Sequence, residues 1–187
     1  MTILDNVLPI RIAISILQSS IDAADDYVST WTERDGGVRY MDRGGRGDRH
    51  WQLFYGKVAE FTVAGLLCQI PDTEVRELSN LVHSADLQFD GRPVHVKAVA
   101  EPYQYPHARG WVFEKTFVRN VLGYDDILIL TSVNLDLQEL VIHETMTGRN
   151  ALKRAEPFRL NAENFPSKLA IYECAAHSGI QAEKAAR

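Results

Sequence analysis

Cysteine is nearly absent: Cys68 and Cys174 stand far apart, with neither the CxxC spacing of a zinc site nor the density of a disulfide framework. A fold organised by bridges or structural zinc is thereby excluded, and a reducing compartment becomes the expectation. Long apolar runs are missing as well, since no stretch approaches the ~20 apolar residues that span a bilayer. The opening Met1-Thr2-Ile3-Leu4-Asp5 lacks the basic start, apolar block and small-residue cleavage site of a secretory signal. These absences predict a cytoplasmic protein with no membrane partner. Nor is there an excess of positive charge, because 20 Lys and Arg stand against 25 Asp and Glu for a formal net charge of -5. Coating nucleic acid by bulk electrostatics needs concentrated Lys and Arg, so any contact of that kind has to come from a local basic groove. Several catalytic signatures are also missing: HExxH, a Walker phosphate loop, GxSxG and GxGxxG. His143-Glu144 has no second His at ligand spacing.

What is present reads as an ordinary globular chain. With 187 residues, 45% hydrophobic and 24% charged, it fits a single α/β domain over 1–187 with one sizeable core. Apolar residues recur at helical spacing from Leu4 and Val7 through Ile12, Ile16, Ile21 and Val28 to Trp31, which predicts an N-terminal helical region over 1–33. A core follows over 51–147. It opens with a helix from about Trp51 to Gln69, ended by Pro71, and a short strand near Glu74 to Leu78. Strands are expected again at Asp126 to Val133 and Glu139 to Thr145. Glu101 to Asn120, interrupted by Pro102, Pro106 and Gly110, reads as an irregular crossing, and its Trp111, Phe113 and Phe117 either pack into the core or stack on bases. The remainder, 148–187, reads as a helix near Gly148 to Ala155, an edge strand near Lys168 to Cys174 and a polar tail.

One basic segment stands out in this acidic chain. Between Glu33 and His50 five arginines, Arg34, Arg39, Arg43, Arg46 and Arg49, alternate with glycines, and glycine lets a backbone approach phosphate closely. These five are candidate nucleic-acid-binding residues. The plainer reading is a solvated connection in which Asp35, Asp42 and Asp48 partly cancel the charge.

The chemistry gathers around a hairpin. Ala85 to Phe89 and Pro93 to Val99 alternate at period two about Asp90-Gly91, and a two-residue turn there pairs Phe89 with Arg92. Counting outward sets Asp86 opposite His95, with Leu87, Phe89, Val94 and Val96 on an apolar face and Asp86, His95 and Lys97 on the other. Glu60 lies beside the helical stripe Val63, Ala64 and Leu67. If that face is buried, the carboxylate needs a cation, a metal or a donor; otherwise it is an exposed residue at the stripe's margin.

The order Gly56-Lys57-Val58-Ala59-Glu60 on a helix, Ala85-Asp86-Leu87 on a strand, then Val94-His95-Val96-Lys97 on the next resembles the core of the PD-(D/E)XK nuclease superfamily. The resemblance covers roughly Gly56 to Val99. It implies a restriction-endonuclease-like three-layer fold with a mixed central β-sheet flanked by helices. It also implies a metal-dependent nuclease, with DNA the expected partner and Mg2+ or Mn2+ the cofactor. Carried over by position, Glu60 and Asp86 would serve the metal, His95 would hold the second acidic position and Lys97 would be the catalytic lysine. The histidine departs from the pattern, and nitrogen ligation favours Mn2+ over a harder ion. His95 could alternatively act as a general base, or bond structurally to Asp86. A homodimer would suit cleavage of both strands of a duplex. The alternative reading is a catalytically silent protein of the same fold that binds nucleic acid or a protein partner, and a third is a plain interaction protein.

Overall fold

A computed structural model describes residues 11–34, 48–78, 85–101, 110–157 and 168–172, for 31–34 and 48–50 the backbone alone. Arg39, Arg43 and Arg46 lie outside the described residues, and of Arg34 and Arg49 only the helical backbone is described. The elements in chain order are β1 Ile12–Ser15, α1 Gln18–Arg34, α2 Asp48–Leu67, β2 Val75–Glu77, β3 Leu87–Phe89, β4 Arg92–Ala100, β5 Gly110–Glu114, a wide π-helical turn Phe117–Val121, β6 Ile127–Asn134, β7 Glu139–Thr147, α3 Gly148–Arg154, β8 Glu156–Pro157 and β9 Lys168–Tyr172. The fold is mixed α/β.

Six strands form one sheet in the order β1-β7-β6-β4-β3-β2. Only β4 and β6 run parallel; the other pairs are antiparallel. The β3–β4 hairpin has the expected register, Phe89 with Arg92, Gln88 with Pro93 and Leu87 with Val94. Its turn needs two left-handed residues, and Asp90 (φ 48°) and Gly91 (φ 76°) supply them. The Asp90 side chain also accepts from the Glu74 amide at 2.9 Å, which ties the turn to the start of β2.

Each face of this sheet has its own cover. On one face Ala24 and Val28 of α1 and Val58, Ala59, Val63 and Leu67 of α2 pack on Leu87, Phe89, Val94, Val96, Ile127 and Ile129. Burying each of these large aliphatic side chains contributes ~1.5–3 kcal/mol. On the other face Leu128, Leu130 and Met146 meet Trp111 and Phe113 of β5, Ile171 of β9, Ala151 of α3 and Val118 of the wide turn. Three layers result, with the two long helices on one face and only the short α3 and the wide turn contributing helix to the other. The other cover is mainly a small sheet ordered β5-β9-β8.

Three expectations are corrected here. Ile12–Ser15 is a strand paired with β7 rather than the start of a helix, because Ile12, Ile14 and Ile16 also alternate at period two and β-branched residues favour the pleat. The supposed irregular crossing contains β5, whose Trp111 and Phe113 are both buried core. Trp111 Nε1 donates to the Thr131 carbonyl at 2.7 Å, giving the buried indole its partner and fastening the small sheet to β6. Lys168–Tyr172 is the central strand of that sheet, not an edge. Among the described residues no helix is long and apolar enough to cross a membrane.

Candidate functional site

The site begins where a ladder ends. β3 and β4 pair from the turn as far as Leu87 and Val94; one residue earlier the chain bends, with the Asp86 amide still donating to the Val94 carbonyl at 3.0 Å. The Val96 N–H, left without a strand partner, donates instead to Asp86 Oδ2 at 2.8 Å. A carboxylate held by the backbone of the neighbouring strand is fixed in place, and buried N–H groups require some such partner. Lys97 Nζ stands 3.8 Å from the same oxygen and 4.6 Å above the Phe117 ring.

The second half of the site comes from α2. Its apolar stripe lies on the sheet, and Lys57 and Glu60, three residues apart, share the helix flank beside it. Lys57 Nζ donates to Glu60 Oε2 and lies 4.4 Å above the Tyr27 ring of α1. Both side chains are nearly enclosed, at 11% and 13% exposure. Burial, and then the charge of Asp86, push the Glu60 carboxyl up to about 7, although Lys57 and Lys97 pull the other way. Burial acts to lower the Lys57 ammonium's pKa, but the Glu60 carboxylate, helped by Tyr27 and Asp86, outweighs it and leaves Lys57 above its usual value. Glu60, Asp86 and Lys97 thus form one electrostatic group, as their order along the chain suggested. Lys57 belongs to it too, and its spacing from Glu60 was the signal that could have found it.

His95 is placed apart. Its Nε2 lies 3.0 Å from Asp126 Oδ2, not against Asp86, and its ring meets Phe117 edge-on at 5.3 Å. Asp126 Oδ2 also accepts from the Gly123 amide at 2.7 Å. Among the described residues His95 Nδ1 has no hydrogen-bond partner. The hydrogen bond expected with Asp86 is made instead with Asp126, from the loop before β6. Another pair that the sequence left unremarked, Ser132 Oγ and His143 Nε2 at 2.8 Å, is buried beneath Trp111. Its enclosure denies a substrate any approach.

Could the group hold a divalent ion? Among the described residues no three His, Cys, Asp or Glu side chains are clustered for one. Mg2+, however, is commonly held by one or two carboxylates with water completing its shell. Asp86 and Glu60 are the two carboxylates of this group that could serve such an ion, and the repulsion of Asp86 on Glu60 is what a cation would relieve. With His95 Nε2 on Asp126, the nitrogen-ligand argument for Mn2+ is left to Nδ1 alone.

No family model, no curated protein and no solved structure gives a significant match to this chain. What the protein does has to follow from its own side chains.

Proposed function

We propose that the protein is a divalent-metal-dependent nuclease of the restriction-endonuclease-like type, hydrolysing phosphodiester bonds, with DNA as the expected substrate. The observation that carries this reading is the convergence of Glu60 from a helix, Asp86 from a strand end and Lys97 from the next strand, with Lys97 Nζ 3.8 Å from Asp86 Oδ2. The antiparallel run β2-β3-β4 followed by a crossing to parallel β6 supports it by setting Asp86, just before β3, beside Lys97 of β4, while α2, which carries Glu60, packs on the same sheet.

Asp86 and Glu60 would hold Mg2+, which when bound supplies a Lewis acid and a water of lowered pKa. The remaining work falls to the chain itself. The Val96 amide fixes the Asp86 carboxylate, so no reorganisation is needed when substrate arrives. Lys97, a third exposed, can reach the phosphate and stabilise the charge that develops on it. The arginines of 34–49 are candidates for holding the flanking backbone.

The rival is a binding protein on the same fold that cuts nothing. It is favoured by one observation: with His95 turned to Asp126, the two carboxylates face two ammonium groups, Lys57 and Lys97, so the site is balanced without a metal. Incubating the protein with labelled DNA and RNA in Mg2+, in Mn2+ and in EDTA separates the two. Metal-dependent cleavage lost in Asp86→Asn and Lys97→Met supports the nuclease. Retention of nucleic acid in EDTA with no cleavage under any condition supports the binder.

A further inference from the structure

The nuclease reading gives Lys57 no part, yet few residues in the site are more firmly held. It is enclosed between the Tyr27 ring and the Glu60 carboxylate, and only 9% of the residue is exposed. Lysine is seldom buried unless paired. A surface ion pair between i and i+3 would carry little meaning, but this pair is enclosed, and its acid is one of the two carboxylates assigned to the metal above.

We infer that Lys57 is an internal counter-cation that occupies Glu60 in place of a divalent ion, so that a metal enters the site only by displacing it. This rests on Glu60 and Asp86 being the metal's carboxylates. Three features support it. The acceptor, Glu60 Oε2, is engaged by the ammonium, so a metal that takes that oxygen has to displace it. The charge of Asp86 favours the Lys57 ammonium and acts against a second negative charge on Glu60, so a cation at that place answers both effects. The Tyr27 ring stabilises the cation, which raises the barrier to displacement beyond what the ion pair provides. Metal affinity is therefore set by exchange, and occupancy follows the free ion concentration rather than saturating at trace levels.

The test is Mn2+ binding, read by the loss of the free-ion electron paramagnetic resonance signal, in the full-length protein and in Lys57→Met and Lys57→Gln. Mildly alkaline buffer keeps protons from competing for Glu60. Met keeps the apolar stem without the charge, and Gln keeps a donor to Glu60 without the charge. Both are expected to bind Mn2+ about tenfold more tightly, the scale of one hydrogen bond between charged groups. Lys57→Arg, which keeps the charge, should stay close to the unsubstituted protein. Neutral variants that melt cooperatively and bind no more tightly overturn the inference, as does an equal gain in Lys57→Arg. Should Lys57→Met fail to fold, Lys57→Gln decides alone. The outcome is independent of cleavage. A protein that cuts, with unaltered metal binding in both neutral variants, keeps the nuclease reading and loses this one. A protein that cuts nothing, with tighter binding in both, does the reverse.

Discussion

His95 and Lys97 leave β4 two residues apart and on the same face, yet their surroundings have little in common. His95 is 1% exposed, bonded to Asp126 and sealed by Phe117. Lys97 has a side chain one-third exposed and faces Asp86. Alternation along a strand assigns a face, but it does not say what covers that face. The Phe117 ring touches both residues and marks the boundary between them: on one side the loop before β6 closes over the strand, on the other β3 has already bent away. Reactive groups can be kept at such a margin, where backbone N–H groups are free to hold them, and not in the middle of a ladder.

The sharpest way to break this contrast is Asp86→Asn. The amide oxygen can still accept from Val96, so stability should change by no more than about 1 kcal/mol. Removing the charge should lower cleavage at least about a hundredfold. Loss of folding together with loss of activity, followed by circular dichroism beside a gel assay, would reduce Asp86 to a structural cap.

His95→Glu probes the other side. A resemblance argued from position alone says that this substitution restores an acid to the metal. The geometry says instead that it sets a second carboxylate against Asp126 Oδ2, in a place with almost no water. We expect destabilisation of about 3 kcal/mol or more in urea unfolding and no gain in Mn2+ affinity. A stable variant with improved metal binding would erase the distinction between the two residues.

The hairpin was legible because its rule is local. Asp90-Gly91 fixes the turn, the turn fixes the register, and the register divides Leu87, Phe89, Val94 and Val96 from Lys97. Glu60 and Asp86 were legible as an ordered pair, one on a helix and the other at the start of a strand, with β2 between them. Nothing local foretold Asp126 as the partner of His95, since that contact spans 31 residues and depends on β6 lying parallel beside β4. β5 escaped for a related reason. Flanking Pro and Gly argue against regular structure, but Trp111 and Phe113 gain their burial from β9, far along the chain, and that tertiary contribution overrides the local signal.

A smaller effect separates the groups through pH. Glu60 has an ordinary carboxyl value near 4.5 raised to about 7, so between those values the folded state binds more protons than the unfolded one. Its contribution to stability is then largest below about pH 4.5 and is lost as pH rises through 7. Subtracting the unfolding free energy of Glu60→Gln from that of the unsubstituted protein, pH by pH, should give a difference that falls over this window. A flat difference would mean that Glu60 is not enclosed beside Asp86 at all, and the open end of the β3–β4 ladder would lose its second carboxylate.

The smallest expected change is the stability of Lys97→Met. The ammonium stands 3.8 Å from Asp86 with its side chain 32% exposed, and solvent screening holds such a pair to roughly 0–1 kcal/mol. Its contact with the Phe117 ring is of the kind that contributes about 0.5–1 kcal/mol at an exposed site, and a methionine thioether over the same ring replaces part of it. Net destabilisation should therefore stay below about 1 kcal/mol, far less than for His95→Glu two residues away. That inequality is the most economical statement of the contrast along β4. A loss from Lys97→Met as large as that from His95→Glu would place both residues in one sealed network, and Lys97 could no longer be free to meet a phosphate.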